Sequence, residues 1–325
     1  MTFWKLSLDR FEWQLREPFV IARGAQTAQP TLMVGIEDES GRRGRGEACG
    51  VDYHGETVAT MRSEIEACRA AIERGLSRAE LQNLLPAGGA RNAVDCALWD
   101  LEAKRCGFSL FEGLAFPQPT AFTIGIRSLD AYEAAARAHS GFPLLKVKVG
   151  AGDPLPAVAA VRRGAPDPGL IVDPNQAWTP ADLKRFAPPL ADQGVVLIEQ
   201  PVPVGAETEL ANWSSPIPLC ADELVGTRKE LALASGLFAC VNIKLDKTGG
   251  LTEALLLAEE ARRLGLQVMA GCMAGSSLCM APSLVLAPLC AFLDLDGPLL
   301  QTGDVNPALR YRDGWIDRPP AALWG

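Results

Sequence analysis

Charged side chains recur at nearly constant intervals in the second half of the chain, each at the end of a short apolar run. They are Lys148, Asp173, Glu199, Asp222 and Lys244, and consecutive members lie 25, 26, 23 and 22 residues apart. Such an interval fits one strand-helix unit of a parallel barrel, in which the C-terminal ends of the strands meet at one mouth. The spacing therefore predicts that these side chains form a single site.

Three of these residues, Asp173, Glu199 and Asp222, are carboxylates on successive predicted strands. Carboxylate oxygens without accompanying His or Cys ligands suit a hard dication such as Mg²⁺ better than zinc. The alternative is that each acid is an isolated strand end paired with a neighbouring base. That alternative explains any one of them more easily than three in register, so we expect a magnesium site.

Two lysines, Lys146 and Lys148, lie inside the apolar run LLKVKV and project from the same face of a strand, since they are two residues apart. Burial and a neighbouring positive charge both lower the pKa of a lysine, so one of the pair is a candidate general base. Lys244 is predicted to face them across the barrel mouth. Two lysines flanking a metal can remove a proton from one face of a carbon and return it on the other. A solvated strand end is the alternative for KVK alone.

This chemistry needs a metal because a proton next to a carboxylate is very weakly acidic. Its removal adds negative charge to a group that is already anionic, and a cation placed at the carboxylate stabilises the transition state.

The elements that position these residues follow from the hydrophobic pattern. From about residue 120, apolar runs alternate with helical segments, and the eight runs are AFTIGI, LLKVKV, LIVDP, VVLIEQP, PLCADE, CVNIKLD, LQVMAGC and FLDLD. Near-continuous apolar strands are typical of a parallel sheet buried on both faces, which predicts a (β/α)8 barrel over residues 116–297. A doubly wound open sheet is the alternative, but no G-x-G-x-x-G motif follows the first strand.

The chain before the barrel predicts a separate α+β domain, residues 1–115. WKLSLDRFEWQL and TLMVGIEDES alternate with period two, GRRGRGE predicts a turn, and two segments with helical periodicity each end in glycine. The segment 298–325 is rich in proline and glycine, and we expect it to pack back on the first domain.

Composition narrows the function classes. The chain has 31 basic and 39 acidic residues, and its basic residues are scattered, which argues against a nucleic-acid partner. It has no run of 18 apolar residues and no signal-peptide pattern, so we expect a cytoplasmic protein without a membrane partner. The nine cysteines form no C-x-x-C pair and lie in apolar segments, which predicts core thiols.

The motifs KVK, VDPN, IEQP, ADE and NIKLDKTGG occur in the order used by the enolase superfamily, in its muconate-lactonizing subgroup. PFVIARG and ARNAVDCALWDLEAKR extend the similarity into the first domain. Within the subgroup the chain resembles the bacterial dipeptide epimerases. The resemblance implies an α/β fold, in which an N-terminal α+β capping domain covers a modified (β/α)8 TIM-type barrel.

The same resemblance implies an isomerase that acts on a small dipeptide. Its expected reaction is proton transfer at the α-carbon of the glutamyl residue, which interconverts L-Ala-D-Glu and L-Ala-L-Glu and serves murein peptide recycling. Family members often assemble, so the resemblance is compatible with a homo-oligomer.

Roles for individual residues also follow from the resemblance. It implies one Mg²⁺ per subunit on Asp173, Glu199 and Asp222, acid/base catalysis by Lys148 and Lys244, and support of Lys148 by Lys146. Four residues are implied to contact the dipeptide: Arg23 at the side-chain carboxylate, Asp294 and Asp296 at the ammonium group, and Thr123. Asn175 is implied to orient the metal site.

Two stretches depart from the family pattern. Pro174 replaces a common alanine and stiffens the loop after the third strand, and GCMAGSS at residues 271–277 differs from the usual seventh-strand loop. The breadth of dipeptide specificity therefore stays open. The alternatives are a syn-dehydratase of the o-succinylbenzoate synthase type and an epimerase of a different dipeptide. The Asp294 and Asp296 pair favours a substrate with an ammonium group over a dicarboxylate.

Overall fold

The computed structural model describes residues 4–325; residues 1–3, at the start of the predicted first domain, lie outside the described residues. The chain begins with an antiparallel sheet in the order β1 (Lys5–Ile21), β2 (Gly24–Glu37) and β3 (Arg43–Ala48). Its period-two pattern buries one face, including Leu32, Val34 and Ile36. The long β1–β2 hairpin is irregular between Gln14 and Phe19 and turns at residues 22–23.

Three helices cover this sheet: α1 (Val58–Glu73), α2 (Arg78–Leu84) and α3 (Gly89–Cys106). Thr57 and Ser77 cap the first two helices, because each side chain accepts a hydrogen bond from a backbone amide three residues later. The two predicted helical segments are confirmed as α1 and α3. Apolar side chains of the sheet and the helices form a core of their own.

The glycine-rich stretch GRRGRGE is a strand over most of its length, whereas the sequence predicted a turn. The turn is confined to residues 39–42, and Arg43–Ala48 pairs with β2 as β3. A Cβ atom at Gly44 or Gly46 would overlap the backbone of α3 at Ala97 and Ala93 respectively. Both glycines therefore let the helix approach the strand closely.

After β4 (Gln118–Pro119), the second region contains an eight-stranded parallel sheet in sequential order. The strands are β5 (Ala121–Ile124), β6 (Leu144–Lys148), β7 (Gly169–Asp173), β8 (Val195–Glu199), β9 (Leu219–Ala221), β10 (Cys240–Ile243), β11 (Gln267–Ala270) and β12 (Phe292–Leu293). Each coincides with one of the eight apolar runs, and only β7 extends beyond its run, by Gly169, so the predicted α/β barrel is confirmed.

The helices between these strands are unequal in length, which modifies the regular barrel. They are α4 (Leu129–Ala138), α5 (Leu155–Gly164), α6 (Pro180–Asp192), α7 (Leu231–Ala234), α8 (Leu245–Thr248), α9 (Leu251–Arg263) and α10 (Ser277–Met280). Short 3₁₀ segments occupy Asp52–His54, Ala206–Leu210, Ala281–Leu289 and Gly297–Leu300. Residues 206–210 thus stand where a regular barrel would have the helix between β8 and β9.

Side chains join the first and last barrel strands. In the described part of the chain, backbone pairing runs from β5 to β12 but does not connect those two strands to each other. Instead, the amide of Leu295 donates to Thr120 Oγ1 (2.9 Å), and the amide of Thr123 donates to Asp296 Oδ2 (2.6 Å). The barrel is therefore nearly closed, with a polar seam at residues 120–123 and 294–296.

The last part of the chain contacts both regions. β13 (Tyr311–Arg312) and β14 (Trp315–Ile316) form a small sheet with β4. Beyond it, Trp324 Nε1 donates to the carbonyl of Cys96, and the amide of Gly325 donates to Asp100 Oδ1, both on α3. The end of segment 298–325 thus lies against the helix that also covers the first sheet.

All nine cysteines are free thiols, but they are less uniformly buried than predicted. Four are buried and four are half-buried, whereas Cys106 is exposed at the end of α3, where the helix surface faces solvent. Among residues 4–325, no helix is both long enough and apolar enough to cross a membrane.

Candidate active site

The barrel brings the predicted polar residues to the C-terminal ends of its strands. Lys146 and Lys148 lie on β6, and Asp173 and Glu199 are the last residues of β7 and β8. Three further residues directly follow their strands, namely Asp222, Lys244 and Asp294, and Asp296 lies two residues beyond Asp294. All of these side chains are buried.

Lys146 is the central cation of the carboxylate cluster. Its Nζ lies 2.8 Å from Glu199 Oε2, 2.8 Å from Asp294 Oδ2 and 3.2 Å from Asp173 Oδ2. The other oxygen of Glu199 accepts a hydrogen bond from Asn242 Nδ2 (2.9 Å), whereas Glu199 Oε2 has only the ion pair and no hydrogen bond of good geometry. One ammonium group therefore balances charge from three acids.

Lys148 lies at the mouth of the barrel, on the same strand. Its Nζ donates to Asp173 Oδ2 at 2.5 Å and to Asn175 Oδ1 at 3.0 Å. The backbone amide of Asn175 donates to the other Asp173 oxygen (2.8 Å), and Asn175 has a positive φ of 46°. Asn175, a predicted orienting residue, thus contacts both the acid and the lysine.

Lys244 approaches the cluster from the opposite side of the barrel. Its Nζ lies 2.6 Å from Asp222 Oδ2, while Lys247 Nζ lies 2.7 Å from Asp222 Oδ1. Lys247 also donates to the carbonyls of Val225 and Asn242. Asp222 is therefore held between two ammonium groups, one at the mouth and one buried behind it.

The carboxylates have divergent pKa values. Burial raises the pKa of Glu199 to about 7, and the negative charges of Asp173 and Asp222 add to this effect. Burial also opposes ionisation of Asp173, but the contacts with Lys148 and Lys146 outweigh it and lower its pKa to about 2. The acids therefore differ because the lysines are distributed unevenly among them.

Two lysines of the site, Lys146 and Lys244, have pKa values that burial alone does not explain. Burial alone would lower the pKa of Lys146, but Asp294, Glu199 and Asp173 raise it well above its ordinary value. Lys244 likewise has a raised pKa, because Asp222 and Glu199 outweigh its burial. The surrounding carboxylates therefore keep both Lys146 and Lys244 charged.

The donor set of Asp173, Glu199 and Asp222 fits a hard dication. Among residues 4–325, no three such side chains already surround a common metal position, and each of these three acids pairs with a lysine. Nevertheless, the three carboxylates are fully buried on adjacent strands, and a buried Glu199 oxygen has no hydrogen bond. All-oxygen donors of this kind are those that Mg²⁺ prefers.

The other predicted binding residues on the barrel lie at the seam. Asp294 accepts from Thr123 Oγ1 (3.3 Å) in addition to pairing with Lys146. Asp296 accepts from the Thr123 amide, and burial together with the charge of Asp294 raises the pKa of Asp296 to about 7. Two buried acids that both contact Thr123 suit an ammonium group.

Arg23 is at the tight turn of the β1–β2 hairpin. Its Nη1 donates to Glu223 Oε1 at 2.5 Å, and its guanidinium carbon lies 5.0 Å from the centre of the Tyr53 ring. The pKa of Arg23 is raised, since Glu223 outweighs the opposing effect of burial. The structure thus places this residue of the first domain directly over the barrel mouth.

A cavity of about 280 Å³ lies between the hairpin and the barrel. Lys148, Asn175 and Lys244 line its floor, Arg23 contributes to its wall, and residues 272–274 of the seventh-strand loop close one side. The stretch that departs from the family pattern is therefore part of the cavity wall. A chamber of this size, lined by two lysines and covered by the first domain, can hold a small molecule away from bulk water.

Buried hydrogen bonds connect the seventh-strand loop to the first domain. Glu47 accepts from Ser276 Oγ, Thr31 Oγ1 and Trp13 Nε1. A second acid, Asp246, accepts from the backbone amide of Gly50 (2.8 Å) and from that of its neighbour in the chain (2.9 Å). These contacts fix the covering domain relative to the barrel.

Sequence reasoning missed four polar residues of this constellation: Tyr53, Glu223, Asn242 and Lys247. A signal was available for Lys247 and Glu223, since NIKLDKTGG contains a second lysine and ADE a second acid. Asn242 is the first residue of the same NIKLDKTGG motif, whereas Tyr53 carried no such signal, because its contact with Arg23 joins distant segments.

Comparison with known proteins agrees with the fold. Residues 6–114 match the mandelate racemase / muconate lactonizing enzyme N-terminal domain, and residues 130–322 match the enolase C-terminal domain-like family. L-Ala-D/L-Glu epimerase of Escherichia coli is 44% identical over 308 residues, covering 93% of this chain and 96% of the relative. N-acetyl-D-glutamate racemase of a Pseudoalteromonas species is 43% identical over 275 residues, covering 83% and 87%.

Solved structures show the same similarity. An enolase family member from Agrobacterium tumefaciens, described as having homology to dipeptide epimerases and determined with bound sodium and L-Ala-L-Glu, matches with a TM-score of 0.94 at 39% identity over 100% of both chains. A dipeptide epimerase from Enterococcus faecalis, determined with Mg and L-Leu-L-Tyr, matches with a TM-score of 0.91 at 27% identity over 98% of both chains.

Proposed function

Since the chain belongs to the enolase superfamily, with both domains of its mandelate racemase and muconate lactonizing enzyme group, we propose that it epimerises L-Ala-D-Glu and L-Ala-L-Glu at the glutamyl α-carbon. The observation that carries this proposal is the placement of Lys148 and Lys244 in one cavity, on strands that are four positions apart in the barrel. Murein peptides are the proposed source of the substrate, and the cytoplasm is its proposed location.

The two lysines act on opposite faces of the α-carbon. The Nζ of one lysine takes the α-proton, and the Nζ of the other returns a proton on the opposite face, which inverts the centre. The roles exchange for the reverse reaction. Lys146 keeps its charge throughout, because it is surrounded by acids, and so holds Asp173 and Glu199 in place.

Asp173, Glu199 and Asp222 are the residues that would hold the metal. When bound there, Mg²⁺ supplies positive charge where the substrate carboxylate becomes more negative.

Metal binding also has an effect on stability, because Mg²⁺ binds the folded state. At ten times its Kd, Mg²⁺ adds about 1.4 kcal/mol to the free energy of unfolding. We expect Mg²⁺ to raise the melting temperature of the wild type, and Glu199→Gln to abolish most of that rise.

The remaining groups orient the dipeptide. Asp294 and Asp296 receive its ammonium group at the seam, and Arg23 faces the side-chain carboxylate from the hairpin turn. The hairpin residues Phe19 and Ile21 line the same cavity and exclude water from the reacting carbon.

The experiment that tests the function is proton NMR of the Mg²⁺-loaded protein with L-Ala-D-Glu in D₂O. We expect the glutamyl α-proton signal to disappear while the L-Ala-L-Glu diastereomer accumulates. If the α-proton is retained in both diastereomers, the proposed reaction is wrong.

A second candidate substrate is N-acetyl-D-glutamate, which a relative at 43% identity is named for. It shares the N-acylated glutamate of the dipeptide but has no ammonium group for Asp294 and Asp296. We propose the dipeptide as the better substrate for that reason. The same NMR assay with both compounds compares their kcat/KM values, and a higher value for N-acetyl-D-glutamate would reverse the order.

A further inference from the structure

Glu223 is a buried acid to which the proposed mechanism gives no role. Its side chain is only 3% exposed, and it follows directly after Asp222 in the chain. One of its oxygens accepts from Arg23 Nη1, and the other is buried without a hydrogen-bond partner in the described structure. An acid that is fixed by a single hydrogen bond to a cavity-wall arginine affects whatever that arginine binds.

Arg23 has donors to spare in this arrangement. A guanidinium group carries five N–H donors, and the hydrogen bond to Glu223 uses one edge of it. The Arg23 side chain is 32% exposed, and the residue lines the cavity that also holds Lys148 and Lys244. Its remaining donors are therefore available to a ligand, while Glu223 stays behind the guanidinium.

A second polar group next to Arg23, the Tyr53 hydroxyl, also lacks a hydrogen-bond partner in the described structure. The Tyr53 ring lies under the Arg23 guanidinium, and its hydroxyl is buried. The Tyr53 hydroxyl has a hydrogen to donate to a ligand beside Arg23, whereas the free Glu223 oxygen can only accept. The cluster of Arg23, Tyr53 and Glu223 is called the side-chain subsite below.

The charge of this subsite is close to neutral, because the guanidinium and the carboxylate cancel. A substrate carboxylate on the free edge of Arg23 is attracted by the guanidinium and repelled by Glu223, which holds the other edge. A substrate amide in the same place feels little of either charge. Glu223 therefore weakens the selection of an acidic side chain over a neutral one.

We propose that Glu223 is a specificity-determining residue, which moderates the preference of the side-chain subsite for an acidic second residue by balancing the charge of Arg23. This inference rests on the proposed function, because it takes the glutamyl side chain as the group that meets Arg23. A bare arginine would bind many small carboxylates tightly. The balanced pair recognises a carboxylate and still releases it.

The test compares wild type with Glu223→Gln on two substrates of the same shape, L-Ala-L-Glu and L-Ala-L-Gln. The glutamine side chain keeps an oxygen that can accept from Arg23 and removes only the charge. On the Mg²⁺-loaded protein we expect the ratio of kcat/KM values, acidic over neutral, to rise about tenfold through a lower KM for L-Ala-L-Glu. The kcat values should change by less than about threefold.

Glu12→Gln is the matched control, because Glu12 also pairs with an arginine, Arg10, but lies exposed on β1. We expect it to leave the ratio unchanged. In an Arg23→Gln background, Glu223→Gln should no longer raise the ratio, since the effect passes through Arg23. Thermal unfolding of each variant shows whether the fold is intact.

The outcomes separate the two proposals. Isothermal titration of both dipeptides measures the acidic-over-neutral preference from binding affinities, whether or not the α-proton exchanges. A wild type that binds the dipeptides without exchange refutes the epimerase reaction but leaves the ratio test valid. An unchanged or lower ratio in Glu223→Gln overturns the role of Glu223, because a residue that only holds Arg23 in place would lose acid preference when altered.

Discussion

Lys247 lies directly behind Asp222, with its Nζ 2.7 Å from the Asp222 Oδ1 atom and in contact with the Asp222 backbone carbonyl as well. The lysine side chain is 1% exposed, so it is a permanently buried counter-charge. A carboxylate without this partner would keep only Lys244, which is also needed for proton transfer in the proposed mechanism. Lys247 therefore separates the structural charge balance of Asp222 from the chemistry at the mouth.

We predict that Lys247→Met destabilises the protein by about 3 kcal/mol or more, because it leaves a buried carboxylate and several carbonyls without their donor. Urea denaturation followed by circular dichroism measures this. Lys184→Met, which removes an exposed lysine bound to a single carbonyl, is the control and should cost less than about 0.5 kcal/mol. Equal effects of the two substitutions would contradict the role assigned to Lys247.

Replacing either catalytic lysine with alanine should leave a base on only one face of the α-carbon. We predict that Lys148→Ala and Lys244→Ala each lower epimerisation by ~10³-fold, since one face of the α-carbon loses its base. The lysine that remains should still exchange the α-proton of one diastereomer with D₂O, and the two variants should differ in which diastereomer exchanges. NMR on each purified diastereomer decides this, and exchange of the same one by both variants would refute opposite-face catalysis.

Packing of α3 on β3 should tolerate no side chain at Gly46. We predict that Gly46→Ala destabilises the protein by about 2 to 3 kcal/mol, because the added Cβ overlaps the helix backbone at Ala93. Gly152→Ala, at a position with open space around it, should change stability little. Thermal melts of both variants give the comparison, and a stable Gly46→Ala would show that the helix can move away from the strand.

The contact between Asp246 and the backbone of the first domain should make stability depend on pH. Burial raises the pKa of Asp246 to about 7, so the folded state holds a proton there that the unfolded state releases near pH 4. Stability from this group is therefore fully present at low pH and is lost as pH rises through 7. Asn at this position keeps the oxygen that accepts from the amides but does not titrate.

We predict that Asp246→Asn gains stability relative to wild type between pH 5 and pH 8, on the order of 2 kcal/mol. Urea denaturation of both proteins across this range gives their free energies of unfolding. Taking the difference between the two proteins cancels the contributions of the other buried acids. A difference that stays constant with pH would mean that Asp246 is ionised throughout in the folded protein.

The sequence was sufficient for the barrel and for the location of its charged residues. Each apolar run predicts one strand, and the charged residue at its end predicts a side chain at the barrel mouth. Lys148, Asp173 and Glu199 could therefore be assigned to the mouth from the sequence. The glycine-rich stretch at residues 41–47 was misinterpreted, because Gly44 and Gly46 are required by the approach of α3 and not by a turn. That requirement depends on a helix about fifty residues further along the chain.

The ion pairs of Lys146 and Lys148 could not be predicted for a similar reason. Two lysines on one face suggested mutual repulsion, yet each lysine lies nearer to acids from other strands than the sequence alone could indicate. Arg23 and Glu223 are 200 residues apart and meet only because the hairpin turn covers the barrel mouth. Partners of this kind depend on how the two regions are docked.

The seam between β5 and β12 contains a hydrogen bond whose acceptor is also a proposed ligand of the substrate. Its hydrogen bond from the Thr123 amide ends on Asp296, the same acid that is proposed to receive the ammonium group. A ligand that draws Asp296 away would release that amide, and one that fixes the acid would protect it. The hydrogen-exchange rate of the Thr123 backbone amide therefore reports whether the site is occupied.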